Sequence, residues 1–385
     1  MSDDYAIDLL TRIIKIYSPS GNEEEISLFL ADEMKNLGFR VHRDEVGNVI
    51  GEIGKGSPIV LLCGHMDTVE GEIPVRVEDG QLYGRGSVDA KGPLSAMIVA
   101  ASKFVEGGFE GTILVVGVVD EEKGGTGIQH FVEEGIQPDY AIFGEPSGLE
   151  KVVFGYKGIL TVKLTVKTPS GHSAAPWLFD NAIEKAMEFW KQINRLHLRE
   201  EKMKSRFYSI TSCLTGIKGG NSSASFIPSH CEIRVQLRIP PQLTPEQVFD
   251  EVKRKIDRYK TTNPKVTVKV EKVDVAKAFE ADRRSVIVRA LAWGIRKTTL
   301  NYASFSRKTG TGDMNVLGNE LKIPVVTYGP GDSKLDHTSN EHIDIKEYLD
   351  SIEVLKKTLT KLPELVKKRN TRKKQHQNKQ KTNVN

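Results

Sequence analysis

The sequence predicts an α/β protein built on an open sheet, with a second domain inserted into the chain. Short apolar runs rich in β-branched residues, at 59–63, 112–119 and 140–143, are typical of strands buried on both faces. Stretches with helical periodicity separate them. From residue 157 the order of elements changes, and after residue 274 the first pattern returns.

Two helices are predicted to open the chain. Apolar residues recur at helical spacing over residues 6–17 and again over residues 26–37. Ser20-Gly21-Asn22 precedes the second stretch and is predicted to supply its N-terminal cap, with three glutamates, residues 23–25, in the first turn.

Strands and helices then alternate through the first domain. Helical stretches at 94–106 and 127–135 lie between the three apolar runs. This alternation favours a sheet that is covered by helices on both sides.

The inserted segment follows the βαββαβ order of ferredoxin-like domains. Its predicted elements lie at 159–167, 181–196, 207–217, 231–239, 245–259 and 265–273. A helix, a strand and a closing helix follow, at 285–297, 323–328 and 345–362. We therefore predict a discontinuous first domain, residues 1–156 and 275–365, which encloses an inserted domain, residues 157–274.

Composition excludes several classes of protein. The 385 residues are 38% hydrophobic and 28% charged, as in soluble globular proteins, and no window approaches about 18 uninterrupted apolar residues. The start carries Asp3 and Asp4 rather than a basic and apolar leader, so we expect a cytoplasmic protein without a membrane partner. Cys63, Cys213 and Cys231 show no CxxC spacing and are expected to be buried and unpaired.

Basic residues are concentrated at the carboxyl end. Eight Lys or Arg and no acid lie within residues 367–385, which leaves 47 basic against 51 acidic residues in the rest of the chain. The polar composition predicts that residues 366–385 form a disordered tail. This tail could solubilise the protein or steer an acidic partner. Nucleic acid is not a predicted partner, because neither an RNA-recognition signature nor interleaved aromatic residues accompany the charge.

Acids and histidines occur where the predicted strands end. His65 and Asp67 follow the first apolar run, Glu121 and Glu122 follow the second, and Glu145 follows the third. Open α/β sheets bind ligands beyond the carboxyl ends of their strands, so these side chains are predicted to converge. Imidazole nitrogens and carboxylate oxygens are ligands of zinc and related divalent ions.

Two further residues complete the predicted metal site. Asp89 lies in a glycine-rich turn, residues 84–92, and its carboxylate could bridge two ions about 3.5 to 4 Å apart. His337 precedes the closing helix. Asp67 is placed to orient the ring of His65 without contacting a metal. Each residue alone is more often a solvated loop residue, but the combination indicates a two-metal hydrolase that activates water.

Six short strings resemble the M20 metallopeptidase family, which includes acetylornithine deacetylase, succinyl-diaminopimelate desuccinylase and glutamate carboxypeptidase. They are HMDTV at 65–69, GRGSVDAKG at 84–92, DEE at 120–122, GEP at 144–146, SGHSAAP at 170–176 and DHTSNEHI at 336–343. The resemblance extends over residues 6–362. It implies an open-sheet, zinc-peptidase-like catalytic domain with an inserted ferredoxin-like lid and dimerisation domain.

The resemblance also implies a ligand set for each of two divalent metals. His65, Asp89 and Glu145 would bind one metal. Asp89, Glu122 and His337 would bind the other. Zinc is the family's usual ion, and cobalt often replaces it.

Further residues carry the chemistry that the resemblance implies. Glu121 would be the general base, which takes a proton from the attacking water and returns it to the leaving amine, while Asp67 orients the metal-binding histidine. His172 would donate to the oxyanion that develops on the substrate, reaching from the partner subunit in dimeric relatives. Arg238 would pair with a substrate carboxylate. Backbone groups at the same end would come from Gly310, Thr311 and Gly312.

Two strings, KTGTGDMN at 308–315 and YGPGDSKLDHT at 328–338, resemble one subgroup of the family, the hydrolases of carrier-protein lysine and ornithine biosynthesis. That likeness implies release of lysine or ornithine from an amide between its α-amino group and the γ-carboxyl of the C-terminal glutamate of a small acidic carrier protein. Deacetylation of acetylornithine, desuccinylation and general dipeptidase or carboxypeptidase activity are alternatives, because the metal ligands do not encode the acyl group. A metal-free binding protein with the same fold is another.

Overall fold

The computed structural model describes residues 2–198, 205–220 and 225–382. The helices, in chain order, are α1 (Asp3–Lys15), α2 (Glu24–Asn36), α3 (Lys91–Ser102), α4 (Thr126–Glu133), α5 (Ala182–Asn194), α6 (Pro245–Thr262), α7 (Val286–Thr299), α8 (Asp313–Glu320) and α9 (Ile345–Thr382). The strands are β1 (Arg40–Arg43), β2 (Val49–Gly54), β3 (Ile59–His65), β4 (Arg76–Glu78), β5 (Gln81–Tyr83), β6 (Thr112–Val118), β7 (Tyr140–Phe143), β8 (Lys151–Tyr156), β9 (Gly158–Lys167), β10 (Thr211–Gly219), β11 (His230–Ile239), β12 (Thr267–Ala276), β13 (Phe279–Glu280), β14 (Ser304–Lys308), β15 (Val325–Thr327) and β16 (His342–Asp344).

The chain divides into two compact units, and the first is discontinuous. Residues 1–154, 281–306 and 316–385 form the first unit, and residues 155–280 and 307–315 form the second. The segment 307–315 was predicted to belong to the first domain. It joins the second unit because the Thr311 hydroxyl and the Asn315 amide donate to the backbone carbonyl of Lys157, at 2.9 and 3.2 Å.

The sheet of the first unit runs in the order β1-β2-β6-β3-β7-β15-β8, and β8 continues into the second unit. β3 pairs in parallel with β6 and β7, and β7 pairs in parallel with β15. All residues of β6 and β7 are buried, as their continuous apolar sequences predict. The carboxyl ends of β3, β6 and β7 consequently meet at one edge of the sheet.

Helices cover this sheet, and a small second sheet extends the unit. α3 is buried over almost its whole surface and packs against α1 and α9, which its Gly, Ala and Ser residues permit by allowing close approach. β16 pairs with β5, which also pairs with β4. This pairing brings the segment just after residue 341 beside the strand that leads into the glycine-rich turn.

The cap predicted for α2 is wrong. Its N-cap residue is Glu23, without a side-chain capping bond. Ser20 instead donates its hydroxyl hydrogen to Asp67 Oδ2 at 2.6 Å. The helix begins later than the pattern suggested, so Ser20 lies outside the cap position, and its hydroxyl bonds to a carboxylate distant in sequence.

The second unit contains β9, α5, β10, β11, α6 and β12 in chain order, and its antiparallel sheet has the order β10-β11-β9-β12. α6 begins with a capping box between Thr244 and Gln247, with Pro245 at the first helical position. The apolar faces of α5 and α6 pack on one face of the sheet.

Cys63 and Cys231 are buried as expected, but Cys213 is exposed, because it lies on the outward face of the edge strand β10.

The structure also differs from the prediction of a disordered tail. α9 continues to Thr382, so residues 366–382 are helical. No Gly or Pro follows Pro363 within this helix, and Lys, Arg and Gln favour helix despite their low apolar content. Lys367 pairs with Glu110, and the Arg369 guanidinium donates to the Tyr140 hydroxyl at 3.3 Å.

These contacts place the start of the basic segment at the amino ends of β6 and β7, opposite the carboxyl ends of these strands. Whether the tail steers an acidic partner stays a prediction. Among the residues that the structure describes, no helix combines the length and the apolar character needed to cross a bilayer.

Candidate metal centre and active site

His65 is the last residue of β3, and its side chain is fully buried. Its Nδ1 lies 2.9 Å from the backbone oxygen of Asp67 and 3.3 Å from Asp67 Oδ1. Its Nε2 lies 3.2 Å from Asp89 Oδ1 and 3.6 Å from Glu145 Oε1. One ring nitrogen is thus held by Asp67, and the other faces two carboxylates.

His337 approaches the same aspartate from the opposite side. Its Nε2 lies 3.1 Å from Asp89 Oδ2 and 2.9 Å from Glu122 Oε1. The backbone of His337 has φ 61°, a left-handed conformation that residues other than glycine adopt rarely. Asp89 therefore presents one oxygen to each histidine, which is the arrangement that a bridging carboxylate requires.

The described residues include two groups of side chains around His65 whose donor atoms all lie within 4.8 Å of one another. The first contains His65, Glu121 and Glu145, and the second contains His65, Asp89 and Glu122. The structure thus brings together the acids and histidines that the sequence predicts as metal residues. A donor set of imidazole nitrogens and carboxylate oxygens fits zinc or cobalt.

The charges of this cluster favour cations. Hydrogen bonds to Asp89 and Glu122 raise the pKa of His337 to about 10. Burial lowers the pKa of His65, but hydrogen bonds to Asp67 and Asp89 outweigh burial and raise this pKa well above its ordinary value. In the metal-free protein, carboxylates therefore draw protons onto both imidazoles. Divalent cations at the same place would supply that positive charge instead.

Glu121 is distinguished from the other acids by its surroundings. Burial raises the pKa of its carboxyl to about 7, opposed by His65 and reinforced by Asp89, Glu122 and Asp67. A carboxyl whose pKa lies near neutrality can both accept and return a proton. Cations bound beside it would lower this pKa, so the ionised form would predominate in a metal-loaded site.

Asp67 fixes the loop that carries the two glutamates. Its Oδ1 accepts the backbone N–H of Glu121, and its Oδ2 accepts that of Glu122, each at 3.1 Å. The Ser20 hydroxyl also donates to Oδ2, and these bonds outweigh burial so that the pKa of Asp67 is lowered. The sequence predicted only the contact with His65. The role of Ser20 was missed, because a serine and a glycine before a helix resemble a cap.

A third group, Asp44, His130 and Glu134, also brings donor atoms within 4.8 Å. The Asp44 carboxylate, however, accepts three backbone amides, of residues 46–48, and the Asn48 side-chain amide at 2.6 Å. These bonds shape the turn before β2 and occupy the oxygens that a metal would need. We therefore interpret this group as one that stabilises the turn and not as a metal site.

The second unit contains the remaining predicted site residues. His172 is exposed, and its Nδ1 accepts the backbone N–H of Ala174 at 3.1 Å, which makes Nε2 the proton donor of the neutral ring. Arg238 is partly buried, and its Nη1 donates to Thr311 Oγ1 at 2.8 Å. Within the described part of the chain, Arg238 forms no ion pair. The structure thus brings Arg238 beside the predicted segment 310–312.

Comparison with known proteins agrees with these observations. The sequence profile described as "Peptidase family M20/M25/M40" matches residues 61–361. A protein of Pyrococcus furiosus named "Putative [LysW]-lysine/[LysW]-ornithine hydrolase" is 38% identical over 94% of this chain and 98% of its own length. The "[LysW]-lysine hydrolase" of Deinococcus radiodurans is 33% identical over 93% and 97%.

A solved structure has the same fold at low sequence identity. It is that of the Bacillus subtilis YXEP protein, titled a dinuclear metal-binding peptidase from the M20 family. It aligns with TM-score 0.71 and 13% identity over 94% of this chain and 98% of that one.

Proposed function

The chain belongs to peptidase family M20/M25/M40, and we propose that it releases lysine or ornithine from a carrier protein. The bond cleaved is the amide between the γ-carboxyl of the carrier's C-terminal glutamate and the α-amino group of the amino acid. The observation that carries this proposal is the identity of 38% and 33%, over nearly the whole chain, with relatives named for such carrier conjugates. The reaction would serve lysine and arginine biosynthesis in the cytoplasm.

The proposed metal ligands follow the contacts in the cluster. His65, Asp89 and Glu145 would hold one divalent ion, and Asp89, Glu122 and His337 would hold the second, with zinc favoured and cobalt as an alternative. The distances that support this set are those from the two imidazoles to Asp89 and to one further glutamate each. Such ions lower the pKa of a bound water and polarise the amide carbonyl.

The chain's own residues would move the proton. Glu121 takes a proton from the attacking water while the water oxygen bonds to the carbonyl carbon. It then delivers this proton to the nitrogen of the leaving α-amine as the carbon–nitrogen bond breaks. Asp67 keeps Glu121 in place through the backbone, since its Oδ1 accepts the Glu121 N–H at 3.1 Å.

We propose that the second unit is a ferredoxin-like lid through which the protein forms a homodimer, and that its His172 stabilises the oxyanion in the partner's site. An exposed ring with Nε2 as donor supports this role. Mixing inactive His172→Ala and Glu121→Gln protomers should restore part of the activity, because one site of each mixed dimer regains both residues. If mixing restores nothing although mixed dimers form, the histidine does not act across the interface.

Arg238 is proposed to bind the free α-carboxylate of the lysine or ornithine moiety. Replacing Arg238 by methionine should then lower kcat/KM by about 10-fold to 100-fold, the range expected for losing a hydrogen bond between charged groups. Arg234→Met is a matched control, because Arg234 lies four residues earlier on β11 and is exposed. Equal effects of the two replacements in steady-state assays would contradict the assignment.

Mass spectrometry of the carrier tests the function directly. A carrier charged with lysine or ornithine should lose the mass of one aminoacyl group on incubation with the enzyme, and Glu121→Gln should leave it charged. N-acetylornithine, N-succinyl-diaminopimelate and dipeptides are assayed in parallel. Faster hydrolysis of any of these than of the charged carrier would favour the corresponding alternative activity.

A further inference from the structure

Glu341 is a buried glutamate that binds the backbone of the turn carrying Asp89. Its Oε1 accepts the N–H groups of Val88 and Asp89, at 2.9 and 3.0 Å. Its Oε2 accepts Nη1 of Arg85 at 2.8 Å, and both of these side chains are almost fully buried. Its backbone oxygen accepts the Gly84 N–H at 3.3 Å. One residue thus holds the turn at four points.

The same residue belongs to the segment that carries His337. Glu341 follows His337 by four residues and directly precedes β16, which pairs with β5 just before the turn. His337 Nε2 lies 3.1 Å from Asp89 Oδ2, although the two residues are far apart in sequence. Among the described contacts, the bonds of Glu341 provide a direct connection between the backbones that bear these two side chains.

The turn leaves little freedom for another arrangement. Gly86 has φ 85°, and a Cβ atom there would lie 2.8 Å from the Thr68 side chain and 2.9 Å from that of Lys91. Arg85 is fixed on its other side as well, since its Nε donates to the Gly71 carbonyl at 2.8 Å. The position of the Asp89 side chain is therefore set by a packed turn, and the Glu341 carboxylate binds two backbone amides of that turn.

We propose that Glu341 is a positioning residue for the second metal, which keeps Asp89 and His337 at the separation that binding requires. This inference rests on the metal ligands proposed above but not on the identity of the substrate. Residues that orient metal ligands typically contribute about 10-fold to 100-fold to metal affinity. Glu341 acts through backbone amides, so its effect should be on the metal and not on substrate affinity.

The test compares zinc binding by metal-depleted wild type and Glu341→Gln, measured by competition with a chelator. Glutamine keeps the shape and one acceptor oxygen but cannot serve Arg85 and both amides together. The zinc ion proposed to lie at Asp89, Glu122 and His337 should bind about 10-fold to 100-fold more weakly. The other zinc ion shares only Asp89 with this site, so its affinity should fall less. Glu347→Gln is the matched control, because Glu347 also accepts a backbone amide, of Gly331 at 3.0 Å, but not from this turn.

A double variant separates positioning from simple stabilisation. Arg85→Met with Glu341→Gln removes the buried charge that the single variant leaves unpaired, so the melting temperature of the metal-free protein should recover while the weak zinc site remains. Recovery of wild-type zinc affinity in the double variant, or wild-type affinity in Glu341→Gln itself, would overturn the inference. A wild type that binds no second zinc would instead refute the proposed metal centre, whereas failure of the proposed function would show separately, as a carrier that stays charged in the mass-spectrometric assay.

Discussion

Replacing Glu121 by glutamine should lower kcat by about 10²-fold to 10⁴-fold while both metals stay bound. Glutamine has nearly the same shape and can still accept the contacts of a carboxylate oxygen, but it cannot take a proton from water. The environment of Glu121 supports this role, because burial raises the pKa of its carboxyl to about 7 in the metal-free protein. The measurement is single-turnover hydrolysis of charged carrier together with metal content.

Glu122→Gln is the natural comparison, because the two residues are neighbours in one loop. Glu122 Oε1 lies 2.9 Å from His337 Nε2, at the proposed second metal. Its replacement should reduce metal occupancy, and excess zinc or cobalt should restore part of the activity. If excess metal rescued Glu121→Gln and failed to rescue Glu122→Gln, the roles of base and ligand would have to be exchanged.

The cluster of acids and histidines could be predicted because its residues follow a local rule. His65, Glu121 and Glu145 each come where a buried apolar strand ends, and the carboxyl ends of neighbouring parallel strands lie at one edge. The sequence therefore predicts that these three segments meet. His337 belonged to the same prediction, although the short segment around it has no strong periodicity.

The missed features depend on contacts between distant segments. Ser20 bonds to Asp67, which is 47 positions away in the sequence, and Glu341 bonds to Asp89, which is 252 positions away. A local sequence pattern cannot predict such contacts. β5 and β16 are three residues long, too short for an alternating pattern to stand out. The low hydrophobicity beyond residue 365 predicted disorder, but the residues there have high helix propensity, and the closing helix continues through them.

Metal affinity should rise steeply with pH. In the metal-free protein, Asp89 and Glu122 raise the pKa of His337 to about 10, and His65 also has a pKa well above its ordinary value. Metals bind the deprotonated rings, so each ion that enters displaces a proton. Below pH 10 the apparent affinity of the His337 site should increase about tenfold per pH unit, which isothermal titration at several pH values measures.

His337→Gln provides the control for this competition. The variant should bind its second metal weakly, and the affinity of that site should no longer depend on pH. The metal affinity of the His65 site should still rise with pH. An affinity in the wild type that stays constant between pH 6 and pH 8 would show that His337 is unprotonated before metal arrives. The raised pKa would then have no part in metal binding.

The same shifts set the stability of the metal-free protein. A pKa that is raised in the folded state adds stability below the ordinary pKa and loses it as pH rises through the folded value. Because the pKa of Glu121 is raised, the free energy of unfolding of the metal-free protein should fall as pH rises from 4.5 to about 7. The raised pKa of His337 should lower it further between pH 6.5 and about 10. Metals bind more tightly as pH rises, and once bound they balance the charge of the carboxylates, so the metal-loaded protein should not lose stability in this way. The difference in melting temperature between metal-loaded and metal-free protein should thus widen from pH 5 to pH 9. A constant difference would mean that the carboxylates do not gather around these histidines in solution.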